Sequence, residues 1–258
     1  MPDMCDRVFN GSFRPRAAAA LVFVAASGLS LVQPVSAQVF HSVIQIKPTY
    51  VLAEATASNP ENVRLLVGLA SMQRGMMLGL LFADQALANM PESHFADPRA
   101  DLLPGLKDGL AAAGVADLEP LLIAIEGATD MAGLLKSQSA ANTALLIAES
   151  SLHAEDQDMV LAVIEAVREA NARLNTSGPT DVVNFQEVWG TLMIQRGKID
   201  LLMQSGNPVV SAASTDMATA LDNVILSMPD PMVSEPVAFD AAPVAALLAQ
   251  LEGLASGL

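Results

Sequence analysis

The sequence predicts an all-α fold: a multi-helix bundle with an internal pseudo-two-fold repeat of a long central helix. Three observations predict it. Residues 60–90 are apolar all round when wound at about 100° per residue, with Gln73, Arg74 and Gly75 at the middle. Gly190-Thr-Leu-Met-Ile-Gln195-Arg196-Gly197 then repeats Gly68-Leu-Ala-Ser-Met-Gln73-Arg74-Gly75 without a gap. Finally, an Asp-x-x-Pro device occurs at 101–104, 117–120 and 240–243, each placing Asp at a helix N-cap and Pro in the first turn.

Arg14 and Arg16 precede an apolar run over 17–32, and Val35-Ser36-Ala37 offers the small residues a signal peptidase reads. The expected organisation is a signal peptide at 1–37 and a helical domain at 38–258. Within that domain, repeats at about 58–115 and 178–258 are joined by a helical hairpin at 117–175. The expected localisation is periplasmic or secreted. The single cysteine, Cys5, lies in the removed segment, so the mature chain has no disulfide, no thiolate nucleophile and no CxxCH haem attachment. Absence of a disulfide scaffold points to a bacterial periplasm.

The whole chain carries −15. The signal peptide holds three Arg against two Asp, which leaves the mature part at −16. So acidic a surface excludes nucleic acid and anionic membrane as partners. The expected partner is a protein or small ligand of the cell envelope, with no integral span after cleavage.

Residues 38–57 admit two readings, a short strand or a helical turn over 39–46, followed by a short helix over 50–57. Asn59 and Pro60 open the central helix as cap and first-turn residue. Along it, Gly68, Ser71, Gly75, Gly79 and Ala83 form a strip of small residues that lets a neighbouring backbone come close. Arg74 shares its face with Val63, Val67, Ala70 and Leu81, so its guanidinium must reach solvent or find an acid; Asp84, Glu126, Glu149 and Glu187 are the candidates. Arg196 lies beside Phe185, Trp189, Leu192 and Met203 at equivalent offsets, but has Asp200 four residues on as a helical partner. A second echo sets 88–92 against 226–230.

Helices are expected over 102–113, ended by Gly114, and over 118–127 and 130–152, the last with Met131, Leu134, Leu135, Ala141, Leu145 and Ile147 inward. Another spans 157–174, with Val160, Val163, Ile164, Val167 and Leu174 inward and Glu165–Arg168 and Glu169–Arg173 as surface pairs. The second Gln-Arg-Gly helix spans 181–204, followed by helices over 214–226 and 241–254 around a proline-rich loop at 228–236.

Three constellations carry chemistry. Gln73, Arg74, Gln195 and Arg196 form a candidate ligand-binding set, because a guanidinium fork grips carboxylate or phosphate. Glu149, His153 and Asp156 form a candidate metal set, since imidazole and carboxylate oxygens hold divalent ions; the competing reading is that these acids complement the N-terminus of the next helix. Met72, Met76, Met77, Met193 and Met203 could hold copper(I), but methionine on an all-apolar helix reads first as core filler. No cofactor is expected. No G-x-S-x-G elbow, Walker loop, dinucleotide fingerprint or HExxH occurs, and only three histidines are present. The sequence therefore points to an exported, non-catalytic envelope interaction or structural protein. The alternatives are a binding module for a small apolar or anionic ligand, or an acidic divalent-metal binder.

Overall fold

A computed structural model describes residues 58–258. The expected signal peptide and both readings of 38–57 lie outside the described residues. Among the described residues there are nine α-helices: α1 (Pro60–Leu81), α2 (Ala83–Ala88), α3 (Leu103–Ala112), α4 (Glu119–Glu126), α5 (Met131–Ser151), α6 (Asp156–Arg173), α7 (Val182–Leu202), α8 (Pro208–Ser227) and α9 (Ala242–Ala255). The chain is an all-α multi-helix bundle. Its one extended pairing among these residues is a bridge between Thr180 and Val237, which fastens the proline-rich loop to the start of α7. No helix among the described residues is long and apolar enough to cross a membrane.

The start of α1 follows from its sequence. Asn59 Oδ1 accepts the N–H groups of Glu61 at 3.0 Å and Asn62 at 3.4 Å, and Pro60 takes the first helical position. The helix does not run on to residue 90 as expected. It is interrupted at Phe82, where φ −110° and ψ 32° leave the helical range, and α2 follows as a short separate piece.

The small-residue strip of α1 accepts a close neighbour, and that neighbour is the returning chain at 94–106. A Cβ on Gly79 would stand 2.6 Å from the Phe95 ring, one on Gly75 2.9 Å from the His94 carbonyl oxygen, and one on Gly68 2.4 Å from the Leu106 side chain. Phe95 is fully buried in that notch. On another face, Gly190 lets α7 approach α1: a Cβ there would meet Arg74 Cγ at 3.0 Å and Leu78 at 3.2 Å.

The core has two parts. One is built from α1, Phe95, α3, α4 and α5, the other from α6, α7, α8 and α9. Helix α6 joins them, since Ala162 belongs to the first while Val160, Val163, Ile164 and Val167 belong to the second; it packs on α1, α7 and α9. At about 25 cal/mol per Å² of apolar surface removed from water, these contacts are the main stabilising contribution. Each of the five inward residues expected on α6, Leu174 just past its end included, is buried.

Four expectations are corrected. Asp101 caps nothing: it lies inside a π-helical turn, Pro98–Leu102, that runs straight into α3. Asp117 and Asp240 do act near helix starts, accepting the N–H groups of Glu119 at 3.1 Å and Ala242 at 2.9 Å. Helix α8 begins at Pro208, well before 214, because Asn207 accepts the Val209 N–H at 3.0 Å and Pro208 sits at the first position, the same pair of residues that opens α1. Arg168 pairs with Glu165, but Arg173 turns from Glu169 to Glu187 on α7. On α5, Leu134, Ala141 and Leu145 are buried, whereas Met131, Leu135 and Ile147 face outward. The reason is position: α5 packs on α1, α2 and α4 along one narrow face, so half of its apolar residues find no neighbour.

Candidate functional site

Arg74 is buried in the middle of α1 and turned toward α7. Its Nη1 donates to Thr191 Oγ1 at 3.4 Å, and its Nη2 lies 3.7 Å from Glu187 Oε1. Glu187 and Thr191 are four apart on α7 and present one face to the guanidinium. Burial pushes the Arg74 pKa below its ordinary value, and Glu187 draws it back up. The other Glu187 oxygen, Oε2, contacts Arg173 Nη1 at 2.5 Å as an ion pair without a directed hydrogen bond. One carboxylate thus sits between two guanidinium groups from different helices.

The neighbouring residue extends the cluster. Gln186 donates through Nε2 to the Pro231 carbonyl at 3.1 Å, and its Oε1 lies 3.2 Å from His94 Nε2. His94 Nδ1 is 3.8 Å from Asp97. Two adjacent side chains of α7 therefore hold α1, the end of α6, the turn at 94–97 and the proline-rich loop together. His94, Asp97 and Glu187 can bring one ligand atom each within 4.8 Å of one another, the arrangement among the described residues that could hold a metal ion. A cation there would compete with both arginines for Glu187, so the charge balance favours the ion pairs.

Arg196 is placed differently. Its Nε donates to Asp222 on α8 at 2.8 Å and its Nη1 pairs with Asp200, the partner expected from the sequence. Partial burial works against its charge, but the two acids outweigh this and raise its pKa. Gln73 Nε2 donates to Glu149 Oε2 at 3.3 Å, and Lys198 Nζ pairs with the same oxygen. Gln195 is buried beside Glu149 and Lys198, between α1 and α6. Each member of the set Gln73, Arg74, Gln195 and Arg196 is thus engaged or enclosed within the bundle, and the two arginines share no partner. The echoed glycines also differ: Gly75 is covered by the His94 backbone, while nothing lies within 4 Å of a Cβ on Gly197.

Glu149, His153 and Asp156 take separate directions. Glu149 serves Gln73 and Lys198, Asp156 accepts the Ser205 hydroxyl, and His153 is exposed just past the end of α5 with φ 47°. Met72 and Met76 are buried in the first core and Met193 is exposed, so the methionines serve different surroundings.

Of the acids named from the sequence for the arginines, Glu187 meets Arg74, Glu149 meets Gln73, and Glu126 pairs with Arg99 at 2.7 Å. Sequence reasoning missed His94, Asp97, Gln186 and Thr191, and paired Arg173 with Glu169 instead of Glu187. One signal was present: Glu187 and Thr191 are polar residues one turn apart on α7. The remaining contacts are long-range and leave no mark in local spacing.

Two surface features complete the description. A groove of about 580 Å³ runs between α1 and α6, floored by Val63, Val67 and Ile164 and edged by Arg64 and Arg168. A shallow depression on the outer face of α5 is lined by Thr143, Leu146, Ile147, Ser150 and His153. Neither is lined by Arg74 or Arg196. In comparisons with protein families, curated proteins and solved structures, no family model, protein or structure matches this chain.

Proposed function

We propose that the chain is an exported, non-catalytic interaction protein of the cell envelope, with the outer face of α5 as its contact surface. The observation that supports this is the exposure of Met131 (36%), Leu135 (44%), Leu146 (49%) and Ile147 (62%) on that one helix. Apolar side chains gathered on one element and left to water mark a surface that is covered by something else. The internal Arg74–Glu187–Arg173 cluster is, in this reading, structural. Export rests on the apolar run over 17–32 and the small residues at 35–37. The two Gln-Arg-Gly helices are taken as products of an ancient duplication, supported by the gapless match and by the direct packing of α1 on α7.

The test is a photo-reactive amino acid placed at Ile147, or at Val183 on α7 as an exposed control, in cells making the protein. A cross-linked product specific to Ile147 is expected. Absence of any product from folded protein at Ile147 overturns the proposal. A small-ligand role has one observation in its favour, the groove between α1 and α6. Its charged groups are Arg64, Arg168, Glu165 and Glu169, and the two arginines are already paired with Glu61 and with Glu165 and Glu252. Native mass spectrometry of the purified protein decides this reading through a bound small molecule.

A further inference from the structure

Resting on that reading of α5, we infer that the occupant of its outer face is a second copy of this chain, paired antiparallel across a two-fold axis near residues 140 and 141. The pattern on the helix is self-complementary. Leu135 and Leu146 are eleven residues apart, three turns, and so lie on one line along the exposed side. A two-fold axis midway between them sets Leu135 of each copy on Leu146 of the other and Met131 toward Ser150. Between the leucines the exposed positions other than Lys136 are small, Ser139, Ala140 and Thr143, which lets the two backbones approach where they cross.

Charge selects the same partner. In a chain of −15, two copies repel over most of their surface. From Met131 to Ala148 the only charged residue is Lys136. This is a long helical face on which copies meet without placing acid on acid. The antiparallel arrangement sets Lys136 opposite residue 145 of the other copy, where no charged residue of α5 meets it. A basic protein partner would instead be expected on an acid-bearing face.

The test uses the full chain with Cys5→Ser, which leaves no other cysteine, so that one introduced thiol reports one position. Under mild oxidation Ser139→Cys, next to the axis, is expected to form a disulfide-linked dimer. Met131→Cys lies about 28 Å from its own counterpart, at a rise of 1.5 Å per residue, and is expected not to link to itself but to link to Ser150→Cys when the two are mixed. In sedimentation equilibrium, mass is expected to rise toward twice the monomer with concentration. Added salt should strengthen the association by screening like charge. Leu135→Glu with Leu146→Glu should weaken it by about tenfold or more, since each sets a charge against the apolar face of the other copy, while Val209→Glu on α8 leaves it unchanged.

A chain that stays monomeric, with Ser139→Cys unlinked, overturns the inference. If Ile147 is still cross-linked to a different protein in cells, the contact surface stands and only self-pairing falls. If no product forms at Ile147 either, both fall. Self-linking of Met131→Cys overturns the antiparallel arrangement.

Discussion

The carboxylate of Asp158, in the first turn of α6, accepts the backbone N–H of Asn59 at 2.7 Å, joining the cap of α1 to a residue 99 positions away. Its other oxygen accepts from Asn62 Nδ2 at 3.1 Å, and the side chain is almost fully buried. Asp158→Ala removes two charge-assisted hydrogen bonds and leaves a donor at the helix start unpaired. Urea denaturation should show a loss of about 2–3 kcal/mol.

The two echoed arginines should separate under mutation. Arg74→Ala takes a guanidinium out of a buried cluster and leaves the Oε1 side of Glu187 without its cation, at a cost of about 3–5 kcal/mol. Arg196→Ala removes a partly exposed pair of contacts and should cost no more than about 1 kcal/mol. Equal losses, measured by chemical denaturation, would contradict the different surroundings described for them.

Glycines give a second matched pair. Gly79→Ala forces a methyl group against the buried Phe95 ring and should destabilise by about 1–3 kcal/mol. Gly197→Ala enters open space inside α7 and should stabilise by up to about 1 kcal/mol through helix propensity alone. Melting temperatures of the two variants should move in opposite directions.

Ser214 is wholly buried on α8, and its hydroxyl has no hydrogen-bond partner among the described residues. Ser214→Ala removes a polar atom that folding strips of water without compensation, so stability should stay level or rise by about 1 kcal/mol. A clear loss in denaturant midpoint would show that the hydroxyl has a partner after all.

Asp181 caps α7, and the Asn184 backbone N–H, with the Asn184 side chain, holds its pKa below the ordinary aspartate value. A carboxylate with a depressed folded-state pKa contributes stability above its unfolded value and loses that contribution as pH falls through the folded value. Asp181→Ala should therefore cost about 1 kcal/mol near neutral pH. The difference from the native chain should vanish in acid, as followed by thermal melts across a pH series.

Helix starts were legible where a capping side chain announces them: Asn59 with Pro60, Asp130 and Asp181 each accept the N–H groups their positions imply. Asn207 with Pro208 carries the same signal, and the start expected at 214 leaves out the first turns of α8. The interruption at Phe82 has no local cause in the sequence, since no proline or glycine stands there; the returning chain, with Phe95 over Gly79 and His94 over Gly75, is a tertiary event. On α5 the apolar count overstated burial because periodicity reports which residues share a face, not whether a neighbour covers it. The pairing of Arg173 with Glu187 was hidden for a related reason: Glu169 has the right helical offset, but α7 brings a more enclosed acid.

The burial of α1 by α6 and α7 has a consequence for synthesis. A helix buried over most of its length leaves the ribosome early, yet α7, against which Arg74 is held, ends only at Leu202. At translation rates of about 5–20 residues per second, α1 waits roughly 6–24 s for its covering helices. A nascent chain so arranged depends during that interval on a chaperone, or on passage across the membrane before it folds.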